Sequence, residues 1–142
     1  MPIHTTNYQN TFIEIAEDSP VQTAQIPPVK NGKMTVAAYQ YEMLKDHPYA
    51  YTSDEVFFQI YALRNEIEGA QWAAERTLFF SKGQPCFRAS PLTKQYGWGV
   101  HSNHEGKIAL FGAETAEYRK FSKEKSVTIL KAMRTSRDLQ RA

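Results

Sequence analysis

The chain has 142 residues, of which 42% are hydrophobic and 23% are charged, with a net charge of +2. This composition is that of one folded domain and excludes a largely disordered chain. It contains no apolar run of about 18 residues, so we expect no membrane-spanning helix and no membrane partner. The first residues lack a signal peptide pattern, and the single cysteine, Cys86, has no internal disulfide partner. We therefore expect a cytoplasmic protein.

The first third of the chain predicts a strand, a long loop and a helix. Thr11–Ala16 is a short β-prone run, which we interpret as the first strand. Residues 17–34 contain three prolines and an Asn-Gly pair, which are typical of an extended loop and a turn. Thr35 is placed to cap a helix over Val36–Asp46.

Two further helices are expected before the middle of the chain ends. Thr52-Ser-Asp-Glu55 has the pattern of a capping box, in which a hydroxyl and a carboxylate satisfy the first backbone amides of a helix. Apolar residues follow it at helical spacing. A third helix is expected over Ala70–Phe80, with Gly83 as a left-handed terminator.

The second half of the chain predicts a strand meander. The expected strands are Cys86–Ser90, Tyr96–Ser102, Lys107–Gly112 and Ser126–Met133, with a turn at residues 103–106 and a short helix from Thr115. Residues 134–142 are expected to form a loose basic tail. Helices followed by strands predict a single α+β domain over residues 1–142, with an N-terminal strand, two to three helices, and a mostly antiparallel sheet with a hairpin and a short helix.

Several long motifs carry a resemblance. They are HTTNYQNTFIEIAED near the start, QYEML at 40–44, YTSDEVFFQIYA at 51–62 and KGQPCFRASPLTKQYGWG at 82–99. With these motifs the chain resembles a family of small bacterial proteins known only as a domain of unknown function. The resemblance covers residues 4 to 135 and implies a bacterial cytoplasmic setting. It transfers no catalytic role to any residue.

The stretch from Lys82 to Lys107 concentrates basic, aromatic, hydroxyl and glycine residues. Cations that hold phosphates, beside aromatic rings that stack on bases, are typical of anion and single-strand nucleic-acid sites. We therefore predict a non-enzymatic binding module for a phosphorylated metabolite or a nucleic acid. The predicted ligand-binding residues are the cations Arg88 and Lys94, the hydroxyl donors Ser90 and Thr93, and the stacking rings Tyr96 and Trp98.

Strand parity offers a structural alternative for the aromatic residues. Trp98 and Val100 fall on one face of the expected strand, and His101 falls on the other. If Trp98 belongs to the core, His101 is exposed. The glycines at 97 and 99 would then mark a bulge or a close approach of backbone.

A second hypothesis is a small enzyme that uses Cys86 as nucleophile and a histidine, His101 first, as base. A thiolate is the reactive form, so Cys86 would need a neighbouring base or cation. Cysteine is also among the residues that most often simply pack in a core. No motif identifies a reaction, and no cofactor is expected.

Two weaker expectations remain open. His101 and His104 are candidate metal ligands, but residues three apart on a strand point to opposite faces, so they converge only if the turn bends them together. Whether residues 17–34 cover the site is also open. The exposed aromatics would otherwise be an interface between copies of this chain, so a homo-oligomer is a third possibility.

Overall fold

A computed structural model describes residues 3–134 of the chain. The strands are β1 (Thr11–Glu14), β2 (Val29–Lys30), β3 (Lys33–Met34), β4 (Trp98–Ser102), β5 (Ile108–Gly112) and β6 (Thr128–Lys131). The α-helices are α1 (Val36–Leu44), α2 (Ser53–Arg64), α3 (Trp72–Phe79), α4 (Pro91–Lys94) and α5 (Ala116–Ser122). Two 3-10 turns, Gly69–Gln71 and Phe87–Ala89, precede α3 and α4.

The main sheet has four strands in the order β5-β4-β1-β6. β4 is antiparallel to both of its neighbours, and β6 runs parallel to β1. β2 and β3 form a separate hairpin. The predicted single α+β domain with a mostly antiparallel sheet, a hairpin (here β4–β5) and a short helix is confirmed.

Serine or threonine side chains cap the N-termini of four helices. The predicted capping box is present at α2: Thr52 Oγ1 accepts from the Glu55 amide at 3.1 Å, and Glu55 Oε1 accepts from the Thr52 amide at 2.8 Å. Thr35, Ser90 and Thr115 cap α1, α4 and α5 in the simpler way. These hydroxyls satisfy backbone amides that have no partner inside the helix.

One face of the main sheet, which we call the helix face, packs against α1, α2 and α4. This packing removes the aliphatic residues of both layers from water, which is the main stabilising contribution in a domain of this size. The aliphatic residues that are fully buried there are Ile13, Leu44, Val56, Leu92, Val100 and Ile108.

The opposite face, which we call the α5 face, is covered by α5 and is mainly aromatic. Phe12 is fully buried there, with its ring 5.0 Å from Tyr118 and 5.2 Å from Phe121. The Tyr118 hydroxyl accepts from the Ile15 amide at 2.8 Å, and burial raises the pKa of Tyr118 to about 12. Both faces of the sheet therefore carry packed layers.

A smaller apolar cluster joins α2 to α3. Its buried members are Phe58, Ala62 and Phe80, with Trp72 and Phe79 partly buried against them. No residue of α3 itself is fully buried. Helix α3 is therefore the least embedded of the long helices.

Several sequence expectations differ from the structure. Residues 86–90 form no strand, because Phe87–Ala89 is a 3-10 turn and Ser90 with Pro91 begins α4. Gly83 does not terminate α3: the helix ends at Phe79, and Gly83 is not among the glycines with positive φ. The Asn-Gly pair within residues 17–34 turns the β2–β3 hairpin, which we did not predict.

The last expected strand is shorter than predicted and covers Thr128–Lys131. Arg134 Nη1 lies 3.9 Å from Glu17 Oε2. The rest of the expected basic tail, residues 135–142, lies outside the described residues. Within residues 3–134, no helix combines the length and apolar character needed to cross a bilayer.

Candidate functional site

The two hydroxyls predicted to bind a ligand are buried in the α4 turn. Ser90 Oγ donates to Gln40 Oε1 at 2.6 Å and accepts from the Leu92 amide. Thr93 is fully buried, and its hydroxyl donates to the backbone carbonyl of Phe87. Both hydroxyls therefore hold the turn together, and the expectation that they face a ligand is not supported by this geometry.

Trp98 is half-buried on the helix face and contacts the long loop. Its indole N–H donates to the Gln25 carbonyl at 2.8 Å, and its ring centroid lies 5.4 Å from that of Tyr41. Gly97 has φ +80°, and a Cβ there would lie 2.6 Å from the Thr23 carbonyl oxygen. The close approach predicted at this glycine is thus made by the chain's own loop.

Tyr96 is held by the same loop. Its backbone carbonyl accepts from the Gln25 amide at 2.8 Å, and its half-buried ring packs against the main core. Residues 23–25 therefore cover Tyr96, Gly97 and Trp98. A ligand that stacked on the Tyr96 or Trp98 ring, as the sequence predicts, would have to share that ring with these contacts.

His101 lies on the α5 face, as strand parity predicts, but it is not exposed. Its ring stacks on Phe121 with a centroid distance of 4.1 Å, and Nδ1 is 2.8 Å from the Tyr49 hydroxyl. Burial lowers the pKa of His101. The expectation that a buried Trp98 leaves His101 exposed is wrong, because α5 and Tyr49 cover the second face of the sheet.

The predicted turn after β4 contains His104, and the structure confirms this turn. Asn103 Oδ1 accepts from the Glu105 and Lys107 amides, and Gly106 has φ +80°. His104 is exposed in this turn, whereas His101 packs under α5. Within residues 3–134, no three His, Cys, Asp or Glu side chains gather into a set that would hold a metal ion.

Cys86 and Arg88 lie beside Tyr8, and we call these three residues the edge cluster. The Tyr8 hydroxyl is 3.4 Å from Cys86 Sγ. Arg88 Nε donates to the Lys131 carbonyl at 2.7 Å, and the Arg88 carbonyl accepts from the Met133 amide at 2.7 Å. The cluster is therefore attached to β6, the outer strand of the sheet.

The electrostatics of the edge cluster centre on Tyr8. Partial burial raises the pKa of Tyr8, and the Cys86 thiol raises it further, whereas the positive charge of Arg88 opposes the increase. The phenol therefore keeps its proton at neutral pH and is a hydrogen-bond donor. A donor, a thiol and a guanidinium thus share one partly buried site.

Lys94, the second predicted cation, is the last residue of α4 and is half-exposed. The ion pairs of the described residues join Lys45 to Glu42, Lys131 to Glu14 and Arg134 to Glu17. Within residues 3–134, Arg88 and Lys94 therefore have no carboxylate partner. Both charges are available, but no contact joins Lys94 to the edge cluster in this part of the chain.

Cys86 and His101 do not meet. The thiol contacts Tyr8, and the imidazole contacts Tyr49 and Phe121. Tyr8 is the site residue that the sequence did not reveal. It lies in the motif HTTNYQNTFIEIAED but 78 positions from Cys86, so only the fold shows that it reaches the site.

Comparison with known proteins gives one positive result. The model described as "Family of unknown function (DUF6157)" matches residues 3–138. No curated protein and no solved structure matches the chain.

Proposed function

Because the chain belongs to this family of unknown function, we propose its function from the geometry: it binds a small anionic ligand, a phosphorylated metabolite, at the edge cluster. The proposal keeps Arg88 from the sequence prediction and adds Tyr8. It places the protein in a reducing bacterial cytoplasm, in agreement with its single cysteine.

The observation that carries the proposal is the fixed orientation of Arg88. Its Nε–H is committed to the Lys131 carbonyl at 2.7 Å, so the guanidinium is held at the edge of the sheet. The rest of the guanidinium lies within hydrogen-bonding reach of the Tyr8 hydroxyl and has no carboxylate partner within residues 3–134, so it can face a ligand together with Tyr8. A planar guanidinium presents such donors in the geometry that matches two oxygens of a phosphate or carboxylate.

The neighbouring groups support an anion in this position. Tyr8 is protonated at neutral pH, so its hydroxyl, which lies 3.4 Å from Cys86 Sγ, can turn to donate to an acceptor oxygen of a ligand. No carboxylate within residues 3–134 forms an ion pair with Arg88, so the guanidinium charge is not neutralised by this part of the chain. A bound anion would supply that neutralisation.

A small ligand agrees better with the site than a nucleic acid does. Single strands are usually held by exposed aromatic platforms beside the cations. Here the Trp98 indole is bonded to Gln25 and packed on Tyr41, and residues 23–25 cover the neighbouring backbone. These contacts favour a phosphorylated metabolite over a nucleic acid.

The experiment is a calorimetric titration of the protein with a panel of phosphorylated metabolites and a single-stranded oligonucleotide, at low and high salt. We expect binding of a phosphorylated compound that weakens by about tenfold or more in Arg88→Gln. Arg88→Lys keeps the charge but loses the two-pronged donor, so it should also bind weakly. Lys94→Gln tests the second cation predicted from the sequence.

Two results would overturn this proposal. One is the absence of binding across the panel, and the other is a ligand whose affinity is unchanged in Arg88→Gln. Preferential binding of the oligonucleotide would instead support the nucleic-acid alternative.

The competing proposal is an enzyme that uses Cys86 and a histidine. Within residues 3–134 the thiol contacts Tyr8 and no histidine, so the geometry offers this proposal less support. Labelling of the native protein with a thiol reagent across pH tests it. A Cys86 that reacts no faster than a free thiol at any pH excludes the nucleophile.

A further inference from the structure

An open groove of about 540 Å³ lies between α2 and the end of α3, and it shares no lining residue with the edge cluster. We call it the α3 groove and define it by Tyr61, Glu75, Leu78, Phe79 and Lys82. It combines three large apolar side chains with one acid and one base. Neither the sequence motifs nor the proposed anion site accounts for it.

The apolar part of the groove faces water. Leu78 is 58% exposed and Tyr61 is 38% exposed, and the Tyr61 and Phe79 rings lie 4.7 Å apart. Helix α3 buries none of its own residues fully. Contiguous exposed apolar surface rimmed by polar groups is typical of an interaction site.

The neutral polar groups around the groove are already bonded within the chain. Ser81 Oγ donates to the Leu78 carbonyl at 2.6 Å, and Gln84 Nε2 donates to the Phe79 carbonyl at 2.7 Å. Glu75 and Lys82 are different, because neither belongs to an ion pair of residues 3–134. The groove therefore offers apolar surface and two opposite charges.

We propose that a second copy of this chain covers the α3 groove, in a two-fold dimer with the ends of the two α3 helices antiparallel. Glu75 lies three residues before Leu78, and Lys82 lies three residues after Phe79. In a two-fold interface each surface meets itself. With Leu78 and Phe79 at the axis, Glu75 faces the partner subunit's Lys82, and this pair occurs twice.

The experiment measures the dimer dissociation constant by sedimentation equilibrium. Glu75→Lys and Lys82→Glu each turn both attractive pairs into repulsive ones, so each should weaken dimerisation by about tenfold or more. The equimolar mixture of the two variants should form a heterodimer, because all its facing charges are again opposite. The double variant should dimerise with itself for the same reason. Lys30→Glu, in the exposed β2–β3 hairpin, is the control.

Three results would overturn this inference. They are a monomer at concentrations up to about 1 mM, a dimer that both single variants leave unchanged, and single variants that weaken the dimer without recovery in the mixture. Circular dichroism of each variant shows that it is folded. The affinity for the phosphorylated compound, measured by the calorimetric titration, should be the same in the variants at Glu75, Lys82 and Lys30 as in the unaltered protein. Failure of the dimer and failure of the anion site can therefore be told apart.

Discussion

The run from Lys82 to Lys107 contains two regions of opposite character. In the first, the α4 turn and β4, the polar groups of Ser90, Thr93, Trp98 and His101 are all bonded to other parts of the chain. In the second, the edge cluster, Arg88 uses one nitrogen for the fold and keeps its charge free of any carboxylate of residues 3–134. Cys86 and Arg88 directly precede the first region in the sequence, whereas Tyr8 comes from the N-terminal part of the chain. Residues of both regions were predicted from the sequence to bind the ligand.

This difference shows that residue type does not identify a binding residue. Buried polar groups need partners, and a chain supplies them from whatever hydroxyl, indole or imidazole is near. Groups already satisfied in this way have little capacity left for a ligand. Changes in the first region should therefore reduce stability, and changes in the second should reduce binding while stability stays nearly constant.

The largest expected effect is that of Gly97→Ala. The φ of +80° is unfavourable for alanine, and the new Cβ would meet the Thr23 carbonyl oxygen at 2.6 Å. We expect the free energy of unfolding, measured by urea denaturation, to fall by roughly 2–4 kcal/mol. Gly32→Ala is the matched control, since Gly32 has φ +72° but nothing within 4 Å of a Cβ. An equal loss in both variants would show that the loop contact contributes nothing.

Thr93→Val should have the next largest effect. The substitution keeps the shape of a fully buried side chain but leaves the Phe87 carbonyl without its hydroxyl donor. A loss of about 1–3 kcal/mol in the free energy of unfolding is expected. Thr77→Val, on the exposed surface of α3, should change it by less than about 0.5 kcal/mol. A neutral Thr93→Val would remove the structural role of this hydroxyl.

His101 should make stability depend on pH. Burial lowers its pKa in the folded protein, so the unfolded chain takes up the proton at a higher pH than the folded chain does. The free energy of unfolding should therefore fall as pH decreases below the ordinary histidine value of about 6.5. Denaturation curves measured from about pH 8 to about pH 5, the range in which histidine changes charge, should show a smaller decrease in the free energy of unfolding for His101→Gln than for the unaltered protein. The exposed His104→Gln should keep the full decrease, and identical curves for the two variants would contradict the prediction.

The smallest effect on stability should come from Tyr8→Phe. It keeps the ring and removes the partly exposed hydroxyl with its contacts to Cys86 and Arg88, so the free energy of unfolding should change by less than about 1 kcal/mol. The affinity for the phosphorylated ligand should nevertheless fall several-fold, because one donor is lost. Tyr39→Phe in α1 is the control. A large loss of stability with unchanged affinity would show that Tyr8 stabilises the fold, as the residues of the α4 turn and β4 do, and does not bind the ligand.

Local signals in the sequence were sufficient for most of the fold. The capping box at Thr52 and the helix cap at Thr35 depend on interactions between near neighbours, and both were predicted. The strands β1, β4 and β5 and the short helix from Thr115 were predicted from their local residue patterns. The strand expected at residues 86–90 was wrong for a local reason as well. Ser90 followed by Pro91 is a helix start, and that signal was missed.

The sequence by itself therefore determined the α+β class, the capped helices and the chain segment in which basic and aromatic residues concentrate. Only the tertiary structure decided which of those residues face inward. Tyr8 contacts Cys86 although 78 sequence positions separate them, and the Trp98 indole donates to the Gln25 carbonyl. His101 packs against Tyr49 and Phe121. Such pairings depend on how distant elements pack, and no periodicity or short motif encodes a contact between residues that far apart.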